Sequence, residues 1–306
     1  MGVSSETKVS IQRHHLSIRQ DGSIRGAPFD VVVGEPGIEP KLDVLVIPGY
    51  SENKGSGINA AKALGDIGIR AVYPLLPLNK FPNNPSWYES VIIDGLQKTI
   101  TDFDLFSDPS SVASVSHSAG GQEWGLARDR APELFGNSVL LAPAGINGQE
   151  YRWHGHDDTL KQAILLARFA RNAVSFDDPT DQLGTLSAMG ESSAQIILDV
   201  LSRRLLTKFK MSAENDTLPD AVVRHATNHH VNVTVGLKDV IVPQFEALNS
   251  LIVATNARRS TLTNDLPLNL EFVLENVPHL HLRTKQGVKQ IRNAGLWLLN
   301  FYSPDK

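Results

Sequence analysis

The chain contains no cysteine. Disulfides, a thiolate nucleophile and cysteine-ligated metals are thereby excluded, and the redox state of the surroundings has no bearing on the fold. Long apolar runs are missing too: no stretch of about 18 apolar residues offers a membrane span. There is no block of Lys and Arg, and 29 basic against 33 acidic residues leave a formal charge of −4. Such a chain has no electrostatic pull toward phosphate backbones, so no nucleic-acid partner is expected. Met1 to Thr7 lack the basic region and apolar stretch of a secretory signal, and Glu6 stands where a myristoylation signal has Ser or Thr. A cytoplasmic protein is the default expectation.

What is present is the composition of a globular protein, with 41% hydrophobic and 20% charged residues over 306 positions. That length suits one α/β domain carrying an insertion. Lys8 to Arg19 and Phe29 to Val33 read as two early antiparallel strands, separated by the turn residues Asp21-Gly22. Leu42 to Ile47 is a short apolar run closed by Pro48-Gly49, the pattern of a strand buried on both faces of a parallel sheet. A β/α alternation follows: a helix over Gly57 to Ile67, a strand over Ile69 to Pro74, a helix over Ser86 to Phe103, a strand over Val112 to Val115, a helix over Ala119 to Arg130 and a strand over Ser138 to Ala142. The expected architecture is α/β, a doubly wound and mostly parallel sheet with right-handed crossovers.

Between about Gly145 and Arg224 the alternation stops. Two helical stretches, Thr159 to Phe176 and Ser192 to Leu206, each pair an apolar face with a basic one and read as an inserted helical cap over residues 145–224. The rhythm resumes with strands over Val231 to Val235 and Leu270 to Leu274 and helices over Pro243 to Ala257 and Gly287 to Phe301, so residues 1–144 and 225–306 form one core.

The strand at Val112 to Val115 runs into Ser116-His117-Ser118-Ala119-Gly120-Gly121 and then a helix. A serine on a sharp strand-to-helix turn between small residues points out of the carboxyl edge of the sheet, with a helix N-terminus beneath it to favour a developing oxyanion. Here the sequence resembles the α/β-hydrolase family, whose G-x-S-x-G elbow appears as Ser116-x-Ser118-x-Gly120, with Ser for the first Gly. The resemblance runs from about Asp43 to Leu299, leaving the insertion aside. It implies a nucleophile, acid and base in that chain order: Ser118, then Asp239 in the loop after Val231 to Val235, then His279 after Leu270 to Leu274. His281, two residues on, faces the same side in an extended Pro-His-Leu-His and is the rival for the base. Pro48-Gly49-Tyr50 stands where the family has His-Gly, and the resemblance implies an oxyanion hole from the amides of Tyr50 and Ala119.

The activity so implied is that of a serine hydrolase, esterase- or lipase-like, on a small-molecule substrate with a hydrophobic part, without cofactor or metal. Amidase, thioesterase and carbon–carbon bond hydrolase are adjacent chemistries on the same three residues, and a catalytically silent binding scaffold is the reading from another class. A nicotinamide enzyme is disfavoured because no G-x-G-x-x-G follows the first parallel strand, and a haloalkane-type hydrolase because its elbow carries a carboxylate. His154 and His156 with Asp157 and Asp158, and His225 with His229 and His230, have residue types that bind metal but no coherent ligand set; surface or cap packing is the expectation. Trp87 and Tyr88 are read as packing residues before pocket-lining ones.

Overall fold

A computed structural model of the chain describes residues 6–50, 52–105, 112–146, 167, 171–172, 178–183, 185–187, 218–239, 241–242, 244–261, 267–279 and 282–302. Eight strands form one sheet in the order β1-β2-β4-β3-β5-β6-β7-β8. They are β1 (Lys8–Gln20), β2 (Ser23–Glu35), β3 (Leu42–Ile47), β4 (Ile69–Leu75), β5 (Val112–His117), β6 (Phe135–Leu141), β7 (Val231–Gly236) and β8 (Leu270–Glu275). β1 and β2 are antiparallel, β2 lies antiparallel on β4, and every pair from β4 to β8 is parallel. The β1–β2 turn is Asp21-Gly22, both with positive φ (49° and 73°), the backbone that a two-residue hairpin between twisted strands requires.

The six described helices longer than one turn or two are α1 (Lys54–Gly65), α2 (Pro85–Phe103), α3 (Ala119–Arg130), α4 (Leu218–His225), α5 (Gln244–Thr261) and α6 (Lys285–Tyr302). Successive side chains of β3 go to opposite faces of the sheet. Val44 and Val46 pack with Ala60, Leu64, Ile291 and Leu298 of α1 and α6. Leu45 and Ile47 join Val91, Leu96, Trp124, Val222 and Leu251, from α2 to α5. Each such aliphatic side chain, fully buried, contributes roughly 1.5–3 kcal/mol. This two-faced burial is why β3 reads as a continuous apolar run.

Helix starts follow local chemistry. Asn53 caps α1 by accepting the Gly55 and Ser56 amides (2.9 and 3.4 Å), and Asn84 caps α2 by accepting that of Trp87 (3.0 Å), with Pro85 in the first turn. Trp87 and Tyr88 are buried, Trp87 stacked on Phe81 with ring centroids 5.9 Å apart, as packing residues are.

Of the helix expected over Thr159 to Phe176, Ala167, Arg171 and Asn172 are described and helical; the one expected over Ser192 to Leu206 lies outside the described residues. Helical residues at 179–183 and at 185–187 depart from the expected pattern, although Asp178 caps the first of these stretches by accepting the Thr180 amide and hydroxyl (2.8 and 2.6 Å). The boundary expected at 224 runs through α4, which packs against α3 and α5.

Candidate active site

At the carboxyl end of the central strand β5, the chain turns into α3 at Ser118. This residue has φ 50° and ψ −119°, a region that costs a non-glycine residue about 1–3 kcal/mol and persists only where its surroundings fix it. Main-chain hydrogen bonds do the fixing. The Ser118 amide donates to Leu141 O at 2.9 Å, and Ser118 O accepts from the Gly121 and Ala144 amides at 2.9 and 2.8 Å. Close approach does the rest: a Cβ on Gly120 would stand 2.3 Å from Ile47 O, and one on Gly121 2.4 Å from the Pro143 Cβ.

The Ser118 hydroxyl lies 2.9 Å from His279 Nε2, and His279 Nδ1 lies 2.8 Å from Asp239 Oδ2. All three residues are buried. Asp239 Oδ1 is occupied by the amides of Ile241 and Val242, both at 2.7 Å, so Oδ2 is turned to the imidazole. With the carboxylate accepting from Nδ1–H, Nε2 is left to accept from the Ser118 hydroxyl. The loops that carry Asp239 and His279 are laddered together. Leu237 N–H donates to Glu275 O (2.7 Å) and Lys238 N–H to Val277 O (3.1 Å), while a Cβ on Gly236 would meet Val277 O at 2.2 Å. Thus Ser118, Asp239 and His279, from separate parts of the sequence, form one hydrogen-bonded chain. His281 lies outside the described residues.

Gly49 is wedged against Ser118: a Cβ there would be 2.8 Å from His117 Nδ1 and 3.0 Å from the Ser118 Cβ. The loop bearing Tyr50 thereby runs beside Ser118, and Ala119 follows as the first residue of α3.

Two groups around this centre escape sequence reasoning. Glu52, whose side chain is 1% exposed, accepts from the Gly49 amide (2.9 Å), the Tyr73 hydroxyl (3.1 Å) and the Leu282 amide (3.2 Å). It links the loop after β3 to the loop that follows His279. Burial, and then the carboxylate of Glu52, hold the Tyr73 phenol well above its ordinary range. His117 Nδ1 lies 3.1 Å from Glu52 Oε1, within ion-pair distance but off the line of a hydrogen bond, and its ring centroid is 5.6 Å from that of His279. The second such group is Asn172. Its Oδ1 accepts from the His279 amide and its Nδ2 donates to the His279 carbonyl, each at 2.9 Å. Position after the strand marks Asp239 and His279, whereas Glu52 reads as a loop charge and Asn172 as one polar residue of a helix.

His225 is a core residue, contrary to the expectation of surface or cap packing. Its ring sits edge-on to Trp124 (5.2 Å) and stacked on His229 (4.6 Å), with Nε2 2.7 Å from Gly136 O. Burial lowers its pKa to about 3, with His229 and Arg128 adding to the effect against the Gly136 hydrogen bond. His154 and His156 lie outside the described residues, and among the described ones no group of three or more His, Asp and Glu is arranged to hold a metal ion. No helix among them is long and apolar enough to cross a membrane.

No protein-family profile matches the chain, and no curated protein does. Solved structures do. A serine hydrolase from the polyaromatic-hydrocarbon-degrading bacterium Cycloclasticus zankles is 15% identical, with a TM-score of 0.57 over 95% of this chain and 100% of its own. A structure reported with the carboxylesterases of the thaumarchaeon Nitrososphaera gargenis is 12% identical, with a TM-score of 0.58 over 100% and 99%. The 2-hydroxy-6-oxo-6-phenylhexa-2,4-dienoate hydrolase of Rhodococcus sp. strain RHA1 is 16% identical, with a TM-score of 0.59 over 96% and 99%. At these identities the likeness is one of fold.

Proposed function

The chain has the α/β-hydrolase fold, and we propose that it is a serine hydrolase acting on a carboxylic ester or related acyl compound. The observation that carries this reading is the buried chain from the Ser118 hydroxyl through His279 to Asp239, at 2.9 and 2.8 Å. A serine hydroxyl is a poor nucleophile near neutral pH, so its proton has to leave as it attacks. Ser118 Oγ adds to the carbonyl carbon while His279 Nε2 takes the proton and the carbonyl π electrons move onto oxygen. Asp239 holds the tautomer and stabilises the imidazolium. The oxyanion is received by the amides of Tyr50 and Ala119, each donor of this kind being worth about 3 kcal/mol of barrier. As the tetrahedral species collapses, the carbon–oxygen bond to the leaving alcohol breaks and His279 returns the proton to that oxygen. Water, deprotonated by the same imidazole, then releases the acyl group and restores Ser118.

Residues 145–224 are proposed to cap the carboxyl edge of the sheet and shape a pocket for a partly hydrophobic small molecule, in keeping with the apolar faces of the two expected helices. Amides, thioesters and carbon–carbon bonds next to a carbonyl are open to the same three groups, and a substrate panel separates them. A silent scaffold would bind without turning over. The test is a fluorophosphonate probe with peptide mass spectrometry, run beside short- and medium-chain p-nitrophenyl esters and the variants Ser118→Ala and His279→Ala. Labelling at Ser118 with turnover lost in both variants is expected. Well-folded protein that neither labels nor turns over would sink the assignment.

A further inference from the structure

The imidazole of His279 is aimed by Asp239, but its reach to Ser118 also depends on where the main chain puts its Cα. That main chain is held from outside. Asn172, 107 residues earlier in sequence, meets the His279 peptide with both ends of its amide, accepting from N–H and donating to C=O at 2.9 Å each. Asn172 is 4% exposed. Six residues beyond His279, the Lys285 amide donates to Asp181 Oδ1 at 2.7 Å, and Asp181 is buried as well. Both Asn172 and Asp181 come from the stretch between β6 and β7. Between these two ties, Glu52 holds the Leu282 amide.

Fixing the ends of a short loop from a second segment is what a general base needs, because an error of about 1 Å in its position costs on the order of 100-fold in rate. A side-chain amide is well suited to this, since it offers one donor and one acceptor in a plane, matched to a peptide group, and burial makes each bond costly to break without replacement. We infer that Asn172 is a positioning residue for His279, so that the inserted stretch sets the geometry of the base as well as any pocket wall. The inference rests on the reading of His279 as general base.

Its test is Asn172→Ala, with Asn172→Asp as the isosteric partner that keeps the acceptor for the His279 N–H and turns the donor to its C=O into a second acceptor. Active sites are counted by fluorophosphonate labelling, so that rates refer to folded protein. Asn172→Ala is expected to lower kcat per labelled site about 10- to 100-fold with KM within about twofold, and Asn172→Asp, whose second oxygen is set against the His279 carbonyl, to lose at least as much. In a His279→Ala background, Asn172→Ala should cause no further loss, since the two act as one unit. A second readout needs no turnover: NMR of 15N-histidine-labelled protein should show the His279 ring resonances and their pH midpoint displaced in Asn172→Ala. Unchanged kcat per labelled site, or unchanged His279 resonances in a folded variant, overturns the inference. If the unaltered chain neither labels nor turns over, the hydrolase reading fails by itself, and the resonances alone decide whether Asn172 places His279.

Discussion

The Ser118 elbow and the His279 loop hold their functional groups by different means. At the elbow, Ser118 takes its place from the strand before it and the helix after it, with glycines admitting neighbouring backbone: Gly120 meets Ile47 O and Gly121 meets Pro143. The His279 loop is laddered to the Asp239 loop as far as Val277, and from there to Leu282 side chains take over. Its position depends on side chains distant in sequence, with Asp239 on the ring, Asn172 on the peptide and Glu52 at Leu282. The first region stores strain in one residue and spreads the restraint over main-chain bonds; the second adds a few buried polar side-chain contacts to its ladder. Backbone frames tolerate changes of polar side chain and fail on added bulk, whereas polar clamps do the reverse.

The sharpest way to break the comparison is at the nucleophile. Ser118→Ala removes the attacking atom, and turnover should fall by at least about 1,000-fold, measured on a p-nitrophenyl ester. Stability should hold or rise, because thermal unfolding reports only the lost hydroxyl and the strained backbone remains. Next in size is bulk at the elbow. Gly120→Val places atoms where Ile47 O and Pro48 O already stand, at 2.3 and 2.7 Å from an ideal Cβ. Backbone cannot swing aside as a side chain can, so a loss of about 3 kcal/mol is expected in denaturant unfolding. An unchanged midpoint would show that β3 and α3 separate more readily than this close contact allows.

The same contrast explains what is legible in the sequence. The alternation of β and α, the elbow and the order Ser118, Asp239, His279 are properties of contiguous segments, and those elements lie within a few residues of their expected spans. Ser23 to Pro28 does not read as strand because Gly26 and Pro28 interrupt the pattern; it pairs with β1 only, the β2–β4 ladder being confined to Asp30–Gly34, so a missing N–H at Pro28 is tolerated. Helix α4, with eight residues, is too short for periodicity to declare itself beside an insertion. Glu52 and Asn172 leave no mark, since each one's partner is the main chain of a segment up to 230 residues away. His225 is misjudged for a related reason: three histidines close in sequence say nothing of Trp124 and Gly136, which enclose it.

His225 supplies a control that keeps fold and site apart in acid. The unfolded imidazole titrates near its ordinary pKa of about 6.5, while the folded one stays neutral down to about 3. Between these values the unfolded chain binds the additional proton, so stability falls as pH drops through about 6.5 and this contribution levels off near 3. From pH 7 to pH 5 the loss is about 2 kcal/mol. His225→Gln, which keeps a donor for Gly136 O, should flatten that limb in urea melts while leaving the pH–rate profile of ester hydrolysis in place. A profile that moved with the melts would mean that acid inactivation is unfolding and not protonation of His279.

Glu52 belongs to both regions, and its substitution should have the smallest of these effects and the most informative one. The carboxylate accepts from the Gly49 amide beside the nucleophile and from the Leu282 amide beyond the base. Glu52→Gln keeps the volume and one oxygen acceptor but sets an NH2 group against one of those two amides, so one clamp survives and the other becomes a repulsive donor pair. A tenfold fall in kcat, about 1.4 kcal/mol, is expected with KM within about twofold. Which clamp is lost can be told by combination. If the Gly49 side opens, the loss adds to that of Asn172→Ala, because the two variants then damage different regions. If the Leu282 side opens, the double variant loses less than the sum, because both loosen the same loop. An undiminished kcat in Glu52→Gln would mean that the elbow and the His279 loop keep their spacing without this link, and that the two regions are built independently.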